Sequence, residues 1–337
     1  MGLVKFSKCP DRRREMILIL SSADDLHVQR VTSHLSPDSF FVLDLRDFGS
    51  TVFLNLIPGE TAGEIVSEEE NKRINLRDIK SVWYRRPRYK RGALGEEWKR
   101  VFAENEERVV LDGVYRFLNE KVFWLNNPFM NRQADNKPWQ LSLASGLGFD
   151  VPPTLITNSS ESFLRFVSEN KRVVYKPVSK GRIDRPDEVP LVFLTKVIQE
   201  EDVEILAPRV SVTPCMFQKY IEKKFEIRVT MLGENVYATA QHSQESEETR
   251  IDWRRDPTKV PHERFSLPSN IENQCKALLR RLNLTYGAID LIYTPEGRFV
   301  FLEINPNGQW LWIEDLAGYP ISHAIANFLQ NGDLSYA

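Results

Sequence analysis

Ala288-Ile289-Asp290-Leu291-Ile292 and Phe299-Val300-Phe301-Leu302-Glu303-Ile304-Asn305 are two short apolar runs flanking the turn signal Pro295-Glu296-Gly297. They read as a β-hairpin. A hairpin centred on Glu296 and Gly297 pairs residues whose numbers share a constant sum, which sets Asp290 opposite Glu303 and Asn305 on the same face. Two carboxylates side by side across a strand pair repel each other, so the pattern calls for something positive between them. Hard oxygen ligands of this kind suit Mg²⁺, which keeps waters and usually binds nucleotide phosphates as well. The hairpin therefore points to a Mg²⁺-nucleotide site. The competing reading is an exposed strand face carrying three polar residues.

Working outward, 337 residues with 42% hydrophobic content suffice for two or three compact units. The formal charge of -2 gives no overall bias toward nucleic acid or membrane, so any charged recognition surface must be local. No apolar stretch reaches membrane-spanning length, and the N-terminus lacks the apolar core of a signal peptide. Cys9, Cys215 and Cys275 are well separated, with no CxxC spacing, which argues for the reducing cytoplasm and against structural zinc. The five scattered histidines give no histidine-based metal centre.

Residues 1–15 are polar and basic and are expected to form a mobile extension. A strand at 16–20, a helix capped by Asp24 and a strand at 40–45 make a βαβ-like beginning. Strands at 51–56 and 81–85 and a helix at 96–120 follow, and this first domain closes near Asn126-Asn127-Pro128. Asp135-Asn136-Lys137-Pro138 opens a helix with proline in its first turn, and Asn158 with Glu161 three residues on reads as a further helix start. Glycine and charge dominate 179–188, read as a mobile loop. The stretch 225–232 alternates strictly, with Glu226, Arg228 and Thr230 on one face and Ile227, Val229 and Met231 on the other. A helix at 268–283 precedes the hairpin, and one at 321–329 closes the chain. The expected division is 1–15, 16–128, 129–214 and 215–337.

Neither G-x-x-x-x-G-K-[ST] nor G-x-G-x-x-G occurs, so phosphate must be held by other groups. Lys176 ends a strand before proline, a rigid position from which a point charge can reach into a cleft; ordinary strand-end lysines look the same. Lys137 opens a helix, where its charge opposes the macrodipole unless an anion lies nearby. Glu226 and Arg228 either pair structurally with neighbours or face a polar ligand. Spacing alone leaves both open.

The order Asn136-Lys137, Tyr175-Lys176-Pro177, Phe217-Gln218-Lys219-Tyr220-Ile221, Glu226-Ile227-Arg228, Asp290 and Glu303-Ile304-Asn305-Pro306-Asn307-Gly308 resembles the ATP-grasp fold. Within it, Ser81-Val82-Trp83-Tyr84-Arg85-Arg86, Asp252-Trp253-Arg254 and the hairpin resemble the microviridin-type (graspetide) macrocyclases. The resemblance runs from about 81 to 329. It implies an α/β (α+β) architecture with an N-terminal βαβ-type pre-ATP-grasp domain, a central domain and a C-terminal domain. It implies ATP and Mg²⁺, with Lys176 and Lys137 on the phosphates, Gln218, Lys219, Tyr220 and Ile221 as the adenine-reading hinge, and Glu226 on the ribose. Asp290, Glu303 and Asn305 would hold Mg²⁺. Enzymes of this kind cross-link side chains of a ribosomally made precursor peptide through acyl phosphates, forming ω-ester or ω-amide links, and need no protein nucleophile. Arg228 and Arg254 are expected to steady the transferring phosphoryl group, because guanidinium groups match phosphate oxygens bidentately. The loop at 179–188 would cover the nucleotide.

Two segments bear on the substrate. The run Arg85-Arg86-Pro87-Arg88-Tyr89-Lys90-Arg91 suits nucleic acid or a solvated face equally by pattern. The net acidic balance weighs against nucleic acid, and an acidic core peptide favours Arg85 and Arg86 as guides for its carboxylates. By position, 191–206 resembles the element that binds the precursor's leader, with Glu200, Glu201 and Asp202 expected to pair with a basic leader residue. A homodimer is usual for the family. The alternatives sharing these motifs are a carboxylate-amine ligase acting on a small molecule or a peptide terminus, and a non-catalytic ATP-binding regulatory protein.

Overall fold

The computed structural model of the chain describes residues 15–58, 62–88, 96–119, 122–179, 181–183 and 189–332. The expected extension up to residue 14, positions 89–91 of the basic run, and positions 180 and 184–188 of the expected covering loop lie outside the described residues. The chain divides into two units, 1–128 with 320–337, and 129–319.

In the first unit, β1 (Met16–Leu20), α1 (Leu26–Thr32) and β2 (Phe40–Leu43) form the expected parallel βαβ, with Ile17 beside Phe40. The cap of α1 is Asp25 rather than Asp24: its carboxylate accepts the His27 backbone N–H at 2.8 Å. A meander of β3 (Val52–Ile57), β4 (Ala62–Ser67) and β5 (Lys72–Asn75) follows, then β6 (Ile79–Tyr84), α2 (Glu97–Asn119) and β7 (Phe123–Leu125). The parallel sheet runs β2-β1-β6-β7. Ile17, Leu18, Ile19 and Leu20 are all buried, as a central parallel strand covered on both faces requires.

The closing helix (Ile321–Asn331) belongs to this unit, where the Leu329 carbonyl accepts the Ser81 hydroxyl at 2.7 Å and Phe328 packs on Phe123. Sequence pattern had grouped it with the preceding domain. An amphipathic stripe says that a helix needs a core, not which one.

The second unit opens with α3 (Pro128–Ala134) and α4 (Lys137–Gly146), whose cap Asn136 accepts the Trp139 N–H at 3.0 Å. Next come β8 (Thr154–Thr157), α5 (Ser160–Asn170), β9 (Val173–Lys176), the two-stranded β10 (Arg182–Ile183) and β11 (Leu191–Val192), β12 (Lys196–Val197), α6 (Val203–Val210) and β13 (Cys215–Lys219). The helix α5 is capped by Ser159, one residue later than Asn158. These strands make an antiparallel sheet β12-β9-β13-β8.

Then β14 (Phe225–Leu232), β15 (Asn235–Gln241), β16 (His262–Arg264), α7 (Ser269–Arg281), β17 (Tyr286–Tyr293), β18 (Phe299–Asn305) and α8 (Leu311–Ala317) follow. Their antiparallel sheet runs β16-β15-β14-β17-β18. The alternation in β14 works as the sequence predicts: Ile227, Val229 and Met231 join a core with Ile271, Cys275, Leu278 and Leu282 of the helix stripe. Glu226, Arg228 and Thr230 consequently point to the opposite face, which carries the site.

Candidate active site

Strand register builds the charged corner. In the hairpin, Ala288, Ile289 and Asp290 pair with Asn305, Ile304 and Glu303 as expected, whereas on the turn side of a bulge between Asp290 and Leu291 the pairs Leu291–Phe301, Ile292–Val300 and Tyr293–Phe299 run one residue out of the expected register. On the other side of β17, Asp290 pairs with Arg228 of β14. Arg228, Asp290 and Glu303 thus form one row across three neighbouring strands. Arg228 Nη1 donates to Asp290 Oδ1 at 2.7 Å, and Lys137 Nζ lies 3.3 Å from Glu303 Oε2 while donating to the Pro177 carbonyl at 3.0 Å. The carboxylate pair is therefore neutralised from its two flanks, one cation for each carboxylate, rather than by a single protein cation between them.

The surroundings set the protonation states. Burial raises the Asp290 carboxyl above its ordinary value, against the pull of Arg228. Burial also opposes ionisation of Glu303, but Lys137, Lys176 and Arg254 together hold it below the usual range. Burial lowers the Lys176 ammonium to about 8, with Glu303 supporting its charge and Lys137, Lys223 and Arg254 repelling it. These five cations and two carboxylates form one electrostatic group.

Asn305 Oδ1 accepts the Asn307 N–H at 3.1 Å. Among the described residues no group of three or more His, Cys, Asp or Glu is arranged to hold a metal. Two carboxylates and an amide oxygen fit a hard ion that keeps waters and shares phosphate oxygens, the donor chemistry of Mg²⁺. They do not make an all-protein cage for Ca²⁺ or zinc.

A second cluster surrounds Glu226. Lys223 Nζ donates to Glu226 Oε1 at 2.5 Å; burial raises the Glu226 carboxyl above its ordinary value, against the pull of Lys223. Its Oε2 has no hydrogen-bond partner among the described residues. A buried acceptor left open suits ligand hydroxyl donors. In the hinge stretch, Lys219 N–H donates to the Pro153 carbonyl and Tyr220 N–H to the Arg172 carbonyl, both at 2.9 Å. Gln218 is buried and its side chain donates to Thr154 Oγ1 at 3.0 Å, while the Arg172 guanidinium stacks on the Tyr220 ring. Lys219 and Tyr220 thus spend their backbone N–H groups inside the fold.

Arg254 is gripped side-on by Asp252, with Nε to Oδ1 at 2.8 Å and Nη2 to Oδ2 at 2.6 Å. Of the expected substrate residues, Arg85 is 3% exposed with Nε 3.5 Å from Asp25 Oδ2, so it is already part of an ion pair; Arg86 beside it is exposed at φ 48°. Both belong to the first unit. Glu200, Glu201 and Asp202 form a single 3-10 turn; the first two are exposed, and Asp202 lies 3.5 Å from Lys196.

Two residues of the site escape the motifs, and a third stands in one without a role assigned to it. Gln140 holds both Ile304 backbone groups, with Nε2 to the carbonyl at 2.8 Å and Oε1 from the N–H at 3.1 Å, and so fixes the strand between Glu303 and Asn305. Its signal was present: 137, 140, 141 and 144 share one helix face, and Gln140 is a polar residue on an apolar stripe. Lys223, inside Lys223-Lys224, looks like a solvated turn. Asp252 opens the Asp252-Trp253-Arg254 motif, in which only Arg254 was expected to act.

Known structures resemble this fold over more than nine-tenths of the chain. Residues 16–132 match the model of the MvdD pre-ATP grasp domain. Macrocyclase MdnC of Microcystis aeruginosa MRC, solved with precursor peptide MdnA, is 30% identical with a TM-score of 0.84, over 94% of this chain and 100% of that one. A RiPP-associated ATP-grasp ligase of Chryseobacterium gregarium, solved with ADP and a leader and core peptide, is 30% identical with a TM-score of 0.85, over 94% and 97%. Macrocyclase MdnB of Microcystis aeruginosa MRC is 29% identical with a TM-score of 0.73, over 93% and 98%. No curated protein sequence matches the chain. With the pre-ATP-grasp match at one end, the charged strand row at the other and full-length similarity to MdnC, the chain belongs to the graspetide-type ATP-grasp ligases.

Proposed function

We propose that this ligase is an ATP-dependent macrocyclase that activates Asp or Glu side chains of a ribosomally made precursor peptide and joins them to Ser or Thr hydroxyls, or to Lys amines. The ω-ester is the favoured product. The observation that carries this reading is the row Arg228-Asp290-Glu303 with Lys137, Lys176 and Arg254 around it. Such a site concentrates positive charge where a polyphosphate would lie while keeping two ionisable carboxylates for a divalent ion.

In this reading Lys176 and Lys137 bind the phosphates, Glu226 takes the ribose hydroxyls, and the backbone of Gln218, Lys219, Tyr220 and Ile221 borders the adenine. Asp290, Glu303 and Asn305 would hold Mg²⁺, which when bound supplies further charge neutralisation. Arg228 and Arg254 orient the transferring phosphoryl oxygens. A carboxylate oxygen of the peptide attacks the γ-phosphorus and ADP leaves. A peptide hydroxyl oxygen or amine nitrogen then attacks the acyl carbon, and inorganic phosphate departs. The protein contributes positioning and charge, with no covalent intermediate of its own.

The second unit is proposed to act as the central domain, 129–214, and a C-terminal domain beginning at 215. The β10–β11 hairpin exposes Ile183, Leu191, Val192 and Phe193, an apolar surface suited to an added peptide strand. This supports 191–206 as the leader-binding element, with Glu200, Glu201 and Asp202 beside it. Arg86, and Arg85 once released from Asp25, would meet core carboxylates. For a homodimer we propose the outer face of α2, where Trp98, Phe102 and Val109 at helical spacing are 64%, 63% and 62% exposed.

ADP release from MgATP tests the reading. Release stimulated by acidic Thr-containing peptides supports it. Release stimulated by small amines alone would indicate a carboxylate-amine ligase, and no stimulated release a regulatory protein.

A further inference from the structure

The side chain of Asp252 is 4% exposed, yet it serves two separate pieces of chain. Its Oδ1 accepts from Arg254 Nε at 2.8 Å and from the Arg254 backbone N–H at 3.2 Å. Its Oδ2 accepts from Arg254 Nη2 at 2.6 Å and from the Thr195 backbone N–H at 3.2 Å. A buried carboxylate with this many donors is fully used, and each bond fixes the orientation of the others.

The two pieces differ in kind. Arg254 lies on a short 3-10 turn, Trp253–Arg255, and half of its side chain is exposed, so its own packing leaves it mobile. Thr195 lies in the strap between β11 and β12. In β12, Lys196 pairs with Tyr175, the neighbour of Lys176. The grip occupies the Nε–Nη2 edge of the guanidinium and leaves Nη1 outside it.

We infer that Asp252 is a positioning residue that fixes the Arg254 guanidinium for phosphoryl transfer and, through the Thr195 N–H, ties that arginine to the strap following the exposed hairpin. The inference rests on the proposed role of Arg254 in the reaction. It adds that this role depends on a carboxylate which touches no reactant. It also makes Arg254 and the 191–197 strap one mechanical piece.

The test compares Asp252→Ala, Asp252→Asn, Arg254→Ala and the double variant Asp252→Ala/Arg254→Ala in the full-length protein. Turnover is read as ADP release with MgATP and an acidic Thr-containing peptide that the wild type consumes. Asp252→Ala should lower kcat about ten- to a hundredfold while KM for ATP stays within about twofold. The double variant should be no slower than Arg254→Ala, because the two act through one guanidinium. Asp252→Asn keeps an acceptor oxygen and should fall between wild type and Asp252→Ala; it carries the same comparison if the alanine variant does not fold. Hydrogen exchange of 191–197 should quicken in Asp252→Ala and remain at the wild-type rate in Arg254→Ala. A slow Arg254→Ala beside a wild-type Asp252→Ala, losses that multiply in the double variant, or unchanged exchange at Thr195 would overturn the positioning role alone. Wild-type turnover in Arg254→Ala would overturn the proposed role of Arg254, and the positioning role with it.

Discussion

Replacing Gln140 by Leu removes the amide that holds β18 in place while nearly preserving side-chain volume. In the wild type that amide takes both the N–H and the carbonyl of Ile304 and also donates to the Ala134 carbonyl. Gln140 is 2% exposed, so water cannot replace it without opening the helix from the strand. Each buried backbone group left without a partner costs about 1–3 kcal/mol. Two such groups on Ile304 alone give about 2–6 kcal/mol. The added apolar surface of a buried leucine offsets about 1–2 kcal/mol of this, leaving a net loss of about 2–3 kcal/mol at the midpoints of the two ranges. Urea unfolding followed by circular dichroism, with the slope of the transition unchanged, measures it. Because Ile304 sits between Glu303 and Asn305, the stabilisation conferred by MgADP should shrink as well. A variant within about 0.5 kcal/mol of wild type, with full MgADP stabilisation, would refute the reasoning that this amide supports the strand and its carboxylate.

Other outcomes follow from the same geometry. Arg228→Ala should reduce turnover by about 10²–10³-fold, with a much smaller change in ATP affinity, since it removes a donor aimed at developing charge; unchanged turnover contradicts the assignment. Between pH 8 and 10.5 the native state carries fewer protons at Lys176 than the unfolded chain, because burial lowers its pKa to about 8 from 10.5. Its contribution to stability therefore rises with pH across that window. ADP binding near pH 9 should take up protons there, seen by calorimetry in buffers of different ionisation enthalpy and abolished by Lys176→Met. Phe102→Glu should shift light-scattering mass from dimer to monomer while leaving the circular dichroism spectrum intact; a wild type that is already monomeric removes the proposed α2 interface.

Much of this was legible in the residues because strands have a period of two. The turn at Glu296 and Gly297 predicts the pairing of Asp290 with Glu303, but the turn-side pairs, Leu291 with Phe301 through Tyr293 with Phe299, run one residue out of that register, and it is the bulge between Asp290 and Leu291 that brings Asp290 opposite Glu303. Alternation likewise places Glu226 and Arg228 away from the core. What the pattern could not supply was partners distant in sequence. Arg228 meeting Asp290, Lys137 meeting Glu303 and Asp252 meeting Thr195 all depend on which elements become neighbours. The strands β4 and β5 escaped because their apolar content is sparse, and α8 because seven residues carry too short a period to distinguish from a loop. Arg85 likewise has a partner that its local sequence does not name. Its basic neighbourhood suggested a guide for substrate carboxylates, and its position just after β6 buries it and brings it within 3.5 Å of Asp25.

The central claim is that this chain joins side chains within a peptide at the expense of ATP, and a single mass spectrum addresses it most directly. An acidic peptide with Thr, Ser or Lys acceptors, taken from a reading frame beside the gene, is incubated with the protein, ATP and Mg²⁺. The account predicts loss of one water per link, dependent on ATP and absent in Glu303→Gln, with base-labile links where esters form. A peptide that keeps its full mass while ATP is consumed, or gains the mass of an added amine, would contradict it.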